Sequence, residues 1–282
     1  MLLIIRVTAP RFSARGYTPG DTSISCYFTP NRPFCQFASA ALPAFPPLAR
    51  TRGSCYNFRC TTIGGVCMKI TPPQLPAARE ETSELFALCA AAYADGEDVK
   101  ARIFKALVIS GETADPVSFH GVSFENCRLT GCSFRKCDFI DVEFCSCDLS
   151  NSDFEDCYFK RCTFTGCKAV GANIQNASLL EIILDGVNFR YANFDRAKIK
   201  QARFAESDLR FCSFSECKIS ALELSQSVLS GANFFKTPLR GVDFTKSEID
   251  GLVLAGEELK GAIVTSPQAA DLAKLLGLIV RD

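Results

Sequence analysis

Five consecutive pentads decide how this chain folds: Val117-Ser-Phe-His-Gly, Val122-Ser-Phe-Glu-Asn, Cys127-Arg-Leu-Thr-Gly, Cys132-Ser-Phe-Arg-Lys and Cys137-Asp-Phe-Ile-Asp. The third residue of each pentad is large and apolar. Steps of five from Phe119 to Val264 give 30 such positions without a phase slip, and 28 of them are Phe, Leu or Ile. Ala169 interrupts this ladder. The residue two places before the ladder position is Ala, Cys, Ser, Thr or Val in 26 of the 30 pentads.

A period of five matches neither the helix (3.6) nor the strand (2). It fits a chain that turns a square corner every five residues, so that four pentads make one coil and residues 20 apart stack on the same face. The large side chain points to the axis, and the small one fills the corner beside it, because a second large group would overfill the core. At the sheet spacing, 30 pentads predict a rod of about 7.5 coils and about 36 Å.

A bare coil end exposes apolar side chains and unpaired backbone, so both ends need caps. Helical spacing predicts a short helix over 81–94 that ends at Asp95-Gly96. We therefore divide the chain into an amino-terminal cap (68–103), a repeat domain (104–264) and a terminal helix (265–282).

The terminal helix is predicted to have Ser266 as its N-cap, to run over Gln268–Leu276 and to be stopped by Gly277. Its apolar stripe allows two readings, a cap folded on its own rod or a homodimer that joins two rods end to end. The dimerisation candidates are Leu272, Leu275, Leu276, Leu278 and Ile279.

Residues 1–67 differ from the rest, since they carry seven Arg, no Lys and one acid and show no apolar period. We expect an unstructured extension outside the fold. It reads as a mis-assigned start, with Met68 the true one, as a transit peptide, or as a disordered tail.

The pentads Cys147-Asp-Leu-Ser-Asn, Ala192-Asn-Phe-Asp-Arg and Ser207-Asp-Leu-Arg-Phe resemble the motif of the pentapeptide-repeat family. This resemblance implies an all-β fold, the right-handed quadrilateral β-helix. The stretches 234–244, 259–264 and 268–280 look like the ending of Qnr-type quinolone-resistance proteins, above all those of Gram-positive bacteria. Met68-Lys-Ile-Thr-Pro-Pro-Gln-Leu-Pro resembles their start.

The Qnr resemblance implies a cytoplasmic homodimer that imitates B-DNA, binds DNA gyrase and topoisomerase IV and lessens quinolone action. The loops that interrupt the coils of several proteobacterial members are absent, which leaves open whether this protein protects the enzyme or inhibits it. The alternative function is a non-catalytic scaffold rod with an unrelated protein partner.

Sorting the pentads by coil face gives one face a net charge of −4, because Arg203 and Lys246 oppose six acids. We predict this face to bind the topoisomerase; its acids are Glu125, Glu143, Asp185, Glu206, Glu223 and Asp243. Such a stripe can occupy a basic groove that evolved for phosphates. The alternative interpretation is that these acids form a solvated face that keeps the rod soluble.

The composition excludes several function classes. Lys and Arg number 31, as do Asp and Glu, and this balance does not favour direct nucleic-acid binding. No apolar run is long enough for a membrane helix. One His, His120, and no Trp argue against an enzyme and a His-based metal site. Nine of the ten repeat cysteines follow the pentad spacing, so we read them as buried small side chains in a reducing compartment and expect no metal or cofactor.

Overall fold

The computed structural model describes residues 62–63, 66–275 and 277–281, and side chains from Met68 onward; all of them belong to one compact unit, Ser54–Asp282. A two-residue antiparallel hairpin comes first, β1 (Thr62–Ile63) and β2 (Val66–Cys67). The expectation that 1–67 form an unstructured extension otherwise lies outside the described residues.

Strands and turns alternate along the rest of the chain. The helices are α1 (Leu85–Asp95), a 3-10 turn (Glu257–Leu259) and α2 (Ser266–Leu275). The strands are β3 (Glu80–Glu81), β4 (Val99–Lys100), β5 (Arg102–Lys105), β6 (Val108–Ser110), β7 (Ser118–His120), β8 (Ser123–Glu125), β9 (Arg128–Thr130), β10 (Asp138–Ile140), β11 (Glu143–Cys145), β12 (Tyr158–Thr165), β13 (Ser178–Asp185), β14 (Lys198–Ala205) and β15 (Lys218–Ser225).

The strands from β4 onward pair with one another in parallel at an offset of 20 residues, as the pentad pattern predicts. Phe119 pairs with Phe139, and Leu184 pairs with Phe204. Isolated bridges such as Asp148 with Lys168 continue the same register through the faces that carry turns. The fold is the right-handed quadrilateral β-helix. We name its four faces after the inward columns that start at Phe119, Phe124, Leu129 and Phe134.

The core consists of side-chain columns that run along the axis. The ring centroids of Phe119 and Phe139 lie 4.9 Å apart with an angle of 6° between the ring planes. Those of Phe124 and Phe144 lie 4.8 Å apart with an angle of 4°. These rings are fully buried or nearly so. One coil cannot cover its own four apolar groups, so each coil is stabilised by its neighbours.

Where the corner residue is Cys, Ser or Thr, its side chain can form a hydrogen bond with a buried backbone group. Cys157 donates its thiol to the carbonyl of Phe134 at 2.9 Å, and the Ser152 hydroxyl does the same to Leu129 at 2.5 Å. The thiol of Cys167 also accepts the N–H of Cys147 from the preceding coil. Cys, Ser and Thr therefore recur at corners because they are small and can bond to buried backbone.

Helix α1 closes the first coil. Leu85 and Cys89 are buried, and the Phe86 ring stacks on Phe134 at 5.8 Å. Ala114 occupies the preceding place in that column, so Phe86 fills the space that this small side chain leaves.

The helix starts at Leu85 rather than 81, because Glu80–Glu81 pair with β5. It ends at Gly96, as predicted, with a left-handed φ of 67°. The first rung is Val99, which pairs with Phe119.

Helix α2 closes the last coil. Its N-cap is Thr265 rather than Ser266, because Thr265 Oγ1 accepts the N–H of Gln268 at 3.3 Å while Gln268 Oε1 accepts the N–H of Thr265 at 2.9 Å. This reciprocal pair is a capping box. The Gln268 amide also donates to the carbonyls of Phe244 and Ser247, which fixes the helix to the rod. Gly277 follows α2 with a φ of 77°.

An extended segment, residues 69–79, runs lengthwise along the corner between the Phe119 and Phe124 faces. We call it the strap. The carbonyl of Lys69 accepts from Gln201, Thr71 donates to Glu181, and the Gln74 N–H donates to Asp141. The strap thus passes over successive coils toward the start of the rod. Its contacts run from Gln201 to Gly121, which lies beside Pro76, and these two residues are four coils apart, about 19 Å at the sheet spacing.

The three prolines of the strap, at 72, 73 and 76, suit this course. They fix an extended backbone and lack an N–H that a ladder would require. Ile70 anchors the segment, since it is only 4% exposed.

Candidate functional site: the acidic face

The six predicted acids do share the Phe124 face. Strand register places Glu143 beside Thr163, Asp185 beside Thr165, and Glu223 beside Arg203. Glu125 lies on the same strand column, Asp243 continues it beyond β15, and Glu206 stands at the corner that follows. Because rungs are about 4.8 Å apart, these carboxylates are held on a rigid lattice.

The strap covers one edge of this face, a feature that the sequence analysis did not foresee. The outward column next to the strap is unusually buried: Ser123 and Thr163 are 1% exposed, and Ile183 is 8% exposed. Arg79 at the end of the strap donates to the Ser123 hydroxyl. In the equivalent column of the Leu129 face, Lys168 is exposed.

Burial and pairing separate the six acids. Glu223 is 4% exposed and binds Arg203 Nε at 3.0 Å, so it does not face solvent. Glu125 lies 3.7 Å from Lys105 Nζ. Asp243 accepts the N–H and hydroxyl of Thr245 at 2.9 and 2.7 Å.

The other three acids are more accessible. Glu143 is half-buried and accepts a long hydrogen bond from Ser123. Asp185 is half-buried and Glu206 is exposed, and neither forms an ion pair within the described part of the chain. The open carboxylates of this face are therefore fewer than the sequence count of six.

Two acids that the sequence analysis did not single out hold the strap. Glu181 accepts both the N–H and the hydroxyl of Thr71, at 3.2 and 2.6 Å. Asp141 accepts from Gln74 and from Arg161. Burial acts to raise the pKa of Asp141, but the hydrogen bonds from Arg161 and Gln74 outweigh it and the pKa falls below its usual value. The proline cluster at 72–76 was the one local sign of an extended segment.

The predicted dimerisation residues separate into two groups. Leu272 is 7% exposed and packs on the last coil, so it serves the cap. Leu275, Leu278 and Ile279 are 47%, 59% and 85% exposed. Leu276 lies outside the described residues. The end of the rod therefore carries an apolar surface that its own coils leave uncovered.

The described cysteine side chains other than Cys145 are buried free thiols, and Cys145 is half-buried. Burial raises the pKa of Cys162 and of Cys212 to about 12, so these thiols stay neutral. Among the described residues no group of His, Cys, Asp and Glu is arranged to hold a metal ion. His120 lies at the surface with Nε2 3.7 Å from Asp98. None of the described helices has the length and apolar character to cross a membrane.

Comparison with known proteins yields solved structures but no curated relative; no curated protein matches the chain. One similar structure is full-length QnrB1, a plasmid-mediated fluoroquinolone resistance protein. It is 22% identical, the alignment covers 62% of this chain and 100% of that chain, and the TM-score is 0.36. Another is HetL of the cyanobacterium Nostoc sp. strain PCC 7120, a pentapeptide repeat protein involved in heterocyst differentiation regulation. It is 19% identical, with 63% of this chain and 95% of that chain covered and a TM-score of 0.27.

Family models match the repeat domain itself. The model of the pentapeptide repeat region matches residues 137–211, and the model of eight pentapeptide repeats matches 117–156 and 207–247. The matched segments adjoin or overlap, and the coils of the structure follow the same register through all of them. Residues 117–247 of the chain belong to the pentapeptide-repeat family.

Proposed function

We propose that this protein binds DNA gyrase and topoisomerase IV in place of DNA, through the carboxylates of the Phe124 face, and thereby lowers fluoroquinolone sensitivity. The observation that carries the proposal is the column of acids on rigid rungs, where Asp185 is half-buried, Glu206 is exposed and neither forms an ion pair among the described residues. The likeness of the chain's ending to Qnr-type proteins supports the same partner.

The electrostatic argument concerns what a DNA-binding saddle offers. Such a saddle presents Lys and Arg side chains to phosphates, and a protein that brings carboxylates into it replaces the phosphate charge. The parallel ladder fixes the acids before binding, so little conformational entropy is lost on association. Because the attraction is between exposed charges, binding should weaken as salt rises.

The proposed functional unit is a homodimer joined end to end. Leu275, Leu278 and Ile279 form the uncovered apolar surface, and exposed clusters of this kind mark interfaces. Replacement of Leu278 and Ile279 by Lys should convert the dimer to a monomer in analytical ultracentrifugation, with circular dichroism unchanged. A wild-type chain that sediments as a monomer would exclude the dimer.

The test of function is gyrase supercoiling, titrated with the protein in the presence and absence of ciprofloxacin. We expect rescue from the drug or inhibition without it, and these two results distinguish a protector from an inhibitor. The variant Asp185→Lys/Glu206→Lys should lose most of the effect, because it reverses the two open acids.

The matched control is Asp156→Lys/Asp250→Lys. Asp156 stands at a corner with a φ of 60°, as Glu206 does with 50°, and Asp250 follows its ladder residue as Asp185 does, but both lie on other faces. If the control and the test variant lose equal activity, the acidic face is not the site. Binding that persists in excess DNA would also oppose the proposal.

The second candidate is a scaffold rod with an unrelated protein partner. Burial of Glu223 and cover of its column by the strap favour it, because they leave fewer acids to imitate DNA. If the folded dimer alters gyrase supercoiling neither with nor without ciprofloxacin, this result would favour the scaffold candidate.

A further inference from the structure

We propose that Arg190, Tyr191 and Phe211 form a docking site for a protein segment that carries a carboxylate beside an apolar side chain. We call these three residues the aromatic corner. It lies at the corner between the Leu129 and Phe134 faces, whereas the acids of the proposed topoisomerase site lie on the Phe124 face. The inference is thus independent of the proposed function.

The two rings are exposed and ordered against each other. Tyr191 is 55% exposed and Phe211 is 50% exposed, although both are large. Their ring centroids lie 5.2 Å apart, and the angle between the ring planes is 8°. The rings project from adjacent coils, so the rod holds them in one arrangement.

The backbone at these positions disfavours aromatic residues. Tyr191 and Phe211 have φ values of 61° and 59°, in the left-handed region where bulky side chains are rare. The other rungs of this corner carry residues that adopt such angles readily, namely Gly111, Gly131, Asn151, Gly171, Gly231 and Gly251. Two aromatic rings here cost stability and bury little surface, which is typical of residues retained for binding.

Gly231 supports the arrangement on the next coil. A Cβ at this position would lie 2.6 Å from ring atoms of Phe211, so the ring rests directly on the glycine backbone. On the other side, the Arg190 guanidinium lies 5.4 Å from the centroid of Tyr191. The ring faces are covered in this stack, and the ring edges remain for a partner.

The arginines of the two coils differ in one decisive respect. Arg210 is neutralised by Asp208, to which Nε and NH2 donate at 2.8 and 2.5 Å. The place of Asp208 is taken one coil earlier by Asn188, whose oxygen accepts only the backbone N–H of Arg190. Arg190 consequently has no carboxylate partner among the described residues, and its buried Nε–H has no acceptor there. A partner that supplies a carboxylate would give the Arg190 guanidinium the charge partner that it lacks.

The chemistry of the corner favours a protein partner over a nucleic acid. Bases bind aromatic residues through ring faces, and these faces are covered. Tyr, Phe and Arg are in contrast the residues enriched at protein interfaces, with Tyr and Arg common among those that dominate binding energy.

The experiment selects random linear peptides, displayed on phage, against the full chain. We expect enriched peptides to carry Asp or Glu next to an aliphatic or aromatic residue. Their affinity should fall at least about tenfold in Tyr191→Asn/Phe211→Asn. Since Asn suits a left-handed φ, this variant should melt no lower than the wild type, which separates lost binding from lost folding.

Two further variants sharpen the result. Asn188→Asp should give Arg190 an internal carboxylate like that of Arg210, and so weaken the peptides while both rings stay in place. Phe235→Asn removes another exposed ring, 44% accessible on the Phe134 face, and should change nothing. The proposal is overturned if no peptide is enriched, if enriched peptides lack a carboxylate, or if they bind Tyr191→Asn/Phe211→Asn as well as wild type. It is also overturned if an oligothymidylate strand binds and loses affinity in that variant.

Discussion

Asp141 and Arg161 occupy the same corner on adjacent coils and are joined by two hydrogen bonds of 2.6 Å, from Arg161 Nε to Oδ1 and from NH2 to Oδ2. The side chains are only 14% and 19% exposed. Oδ1 also accepts the N–H of Gln74 at 2.8 Å, so this pair fastens the strap to the rod. A bidentate, half-buried pair of this kind is stronger than an ordinary surface ion pair.

Replacement of Asp141 by Asn should loosen the strap. The variant keeps the shape of the side chain but loses the charge, and we expect a loss of about 1–2 kcal/mol in the free energy of unfolding. Hydrogen exchange at Thr71 and Gln74 should accelerate more than exchange in β13. Asp271→Asn is the control, because its partner Lys274 is 62% exposed and such pairs contribute little.

The same carboxylate predicts an effect of acid. The pKa of Asp141 is lowered in the folded protein, mainly by Arg161 and Gln74 acting against burial. Its contribution is therefore present above the pKa of the unfolded chain, about 3.9, and is lost as the pH falls through the lower folded value. The protection factor of the Gln74 amide, which corrects for the intrinsic effect of pH on exchange, should fall below about pH 4 in the wild type. In Asp141→Asn the protection should already be low and should not change further in this range.

Gly121 tests the strap by steric means. A Cβ at Gly121 would lie 2.5 Å from Cδ of Pro76, and the residue has a φ of 63°. Gly186 has a φ of 61° with nothing within 4 Å of the same position. Both Ala variants suffer the left-handed penalty of about 1–2 kcal/mol, but only Gly121→Ala displaces Pro76. Denaturant titration should show a larger loss for Gly121→Ala, with faster exchange over 69–79. Equal losses would mean that the strap does not contribute to stability.

The sequence predicts those features that repeat locally and misses those that connect distant segments. The columns of Phe119 and Phe124 and the offset of 20 residues follow from the pentad pattern, because every coil repeats the same packing problem. The strap has no period, and its contacts join Thr71 to a residue 110 positions away. Charge counting likewise treated Glu223 as a surface acid, whereas the fold buries it beside Arg203. Pairing across coils, not composition, decides which acids remain open.

The buried thiols predict a fall in stability at alkaline pH. Burial raises the pKa of Cys137 to about 11 and that of Cys162, Cys212 and Cys217 to about 12. Thiols in the unfolded chain have a pKa of about 8.5. The contribution of the buried thiols to the free energy of unfolding is therefore complete below that pH and is lost as the pH rises toward their pKa values in the folded protein. Urea titrations at pH 8 and pH 10 should show the loss.

A variant with Ser at these four positions is the matched control. Ser227 already makes the same corner bond, to the carbonyl of Phe204 at 3.2 Å, so Ser fits the site. The variant should fold and should lose less stability than the wild type between the two pH values. A loss as large as that of the wild type would assign the effect to other groups.

The last prediction concerns Ala169, the one small residue at a ladder position in the middle of the core. A cavity of about 20 Å³ lies beside its place in the column, lined by Leu149, Phe189 and Ile182 among others. Ile182, an unusually large corner residue, is among the side chains that border this cavity. Ala169→Val adds two methyl groups there and should raise the free energy of unfolding by about 1 kcal/mol. Ala172→Leu, at a fully buried corner of the same coil, should instead overfill the core and cost about 1–3 kcal/mol. Denaturant midpoints measured side by side test the pair; destabilisation by both would mean that the column around Ala169 is already full.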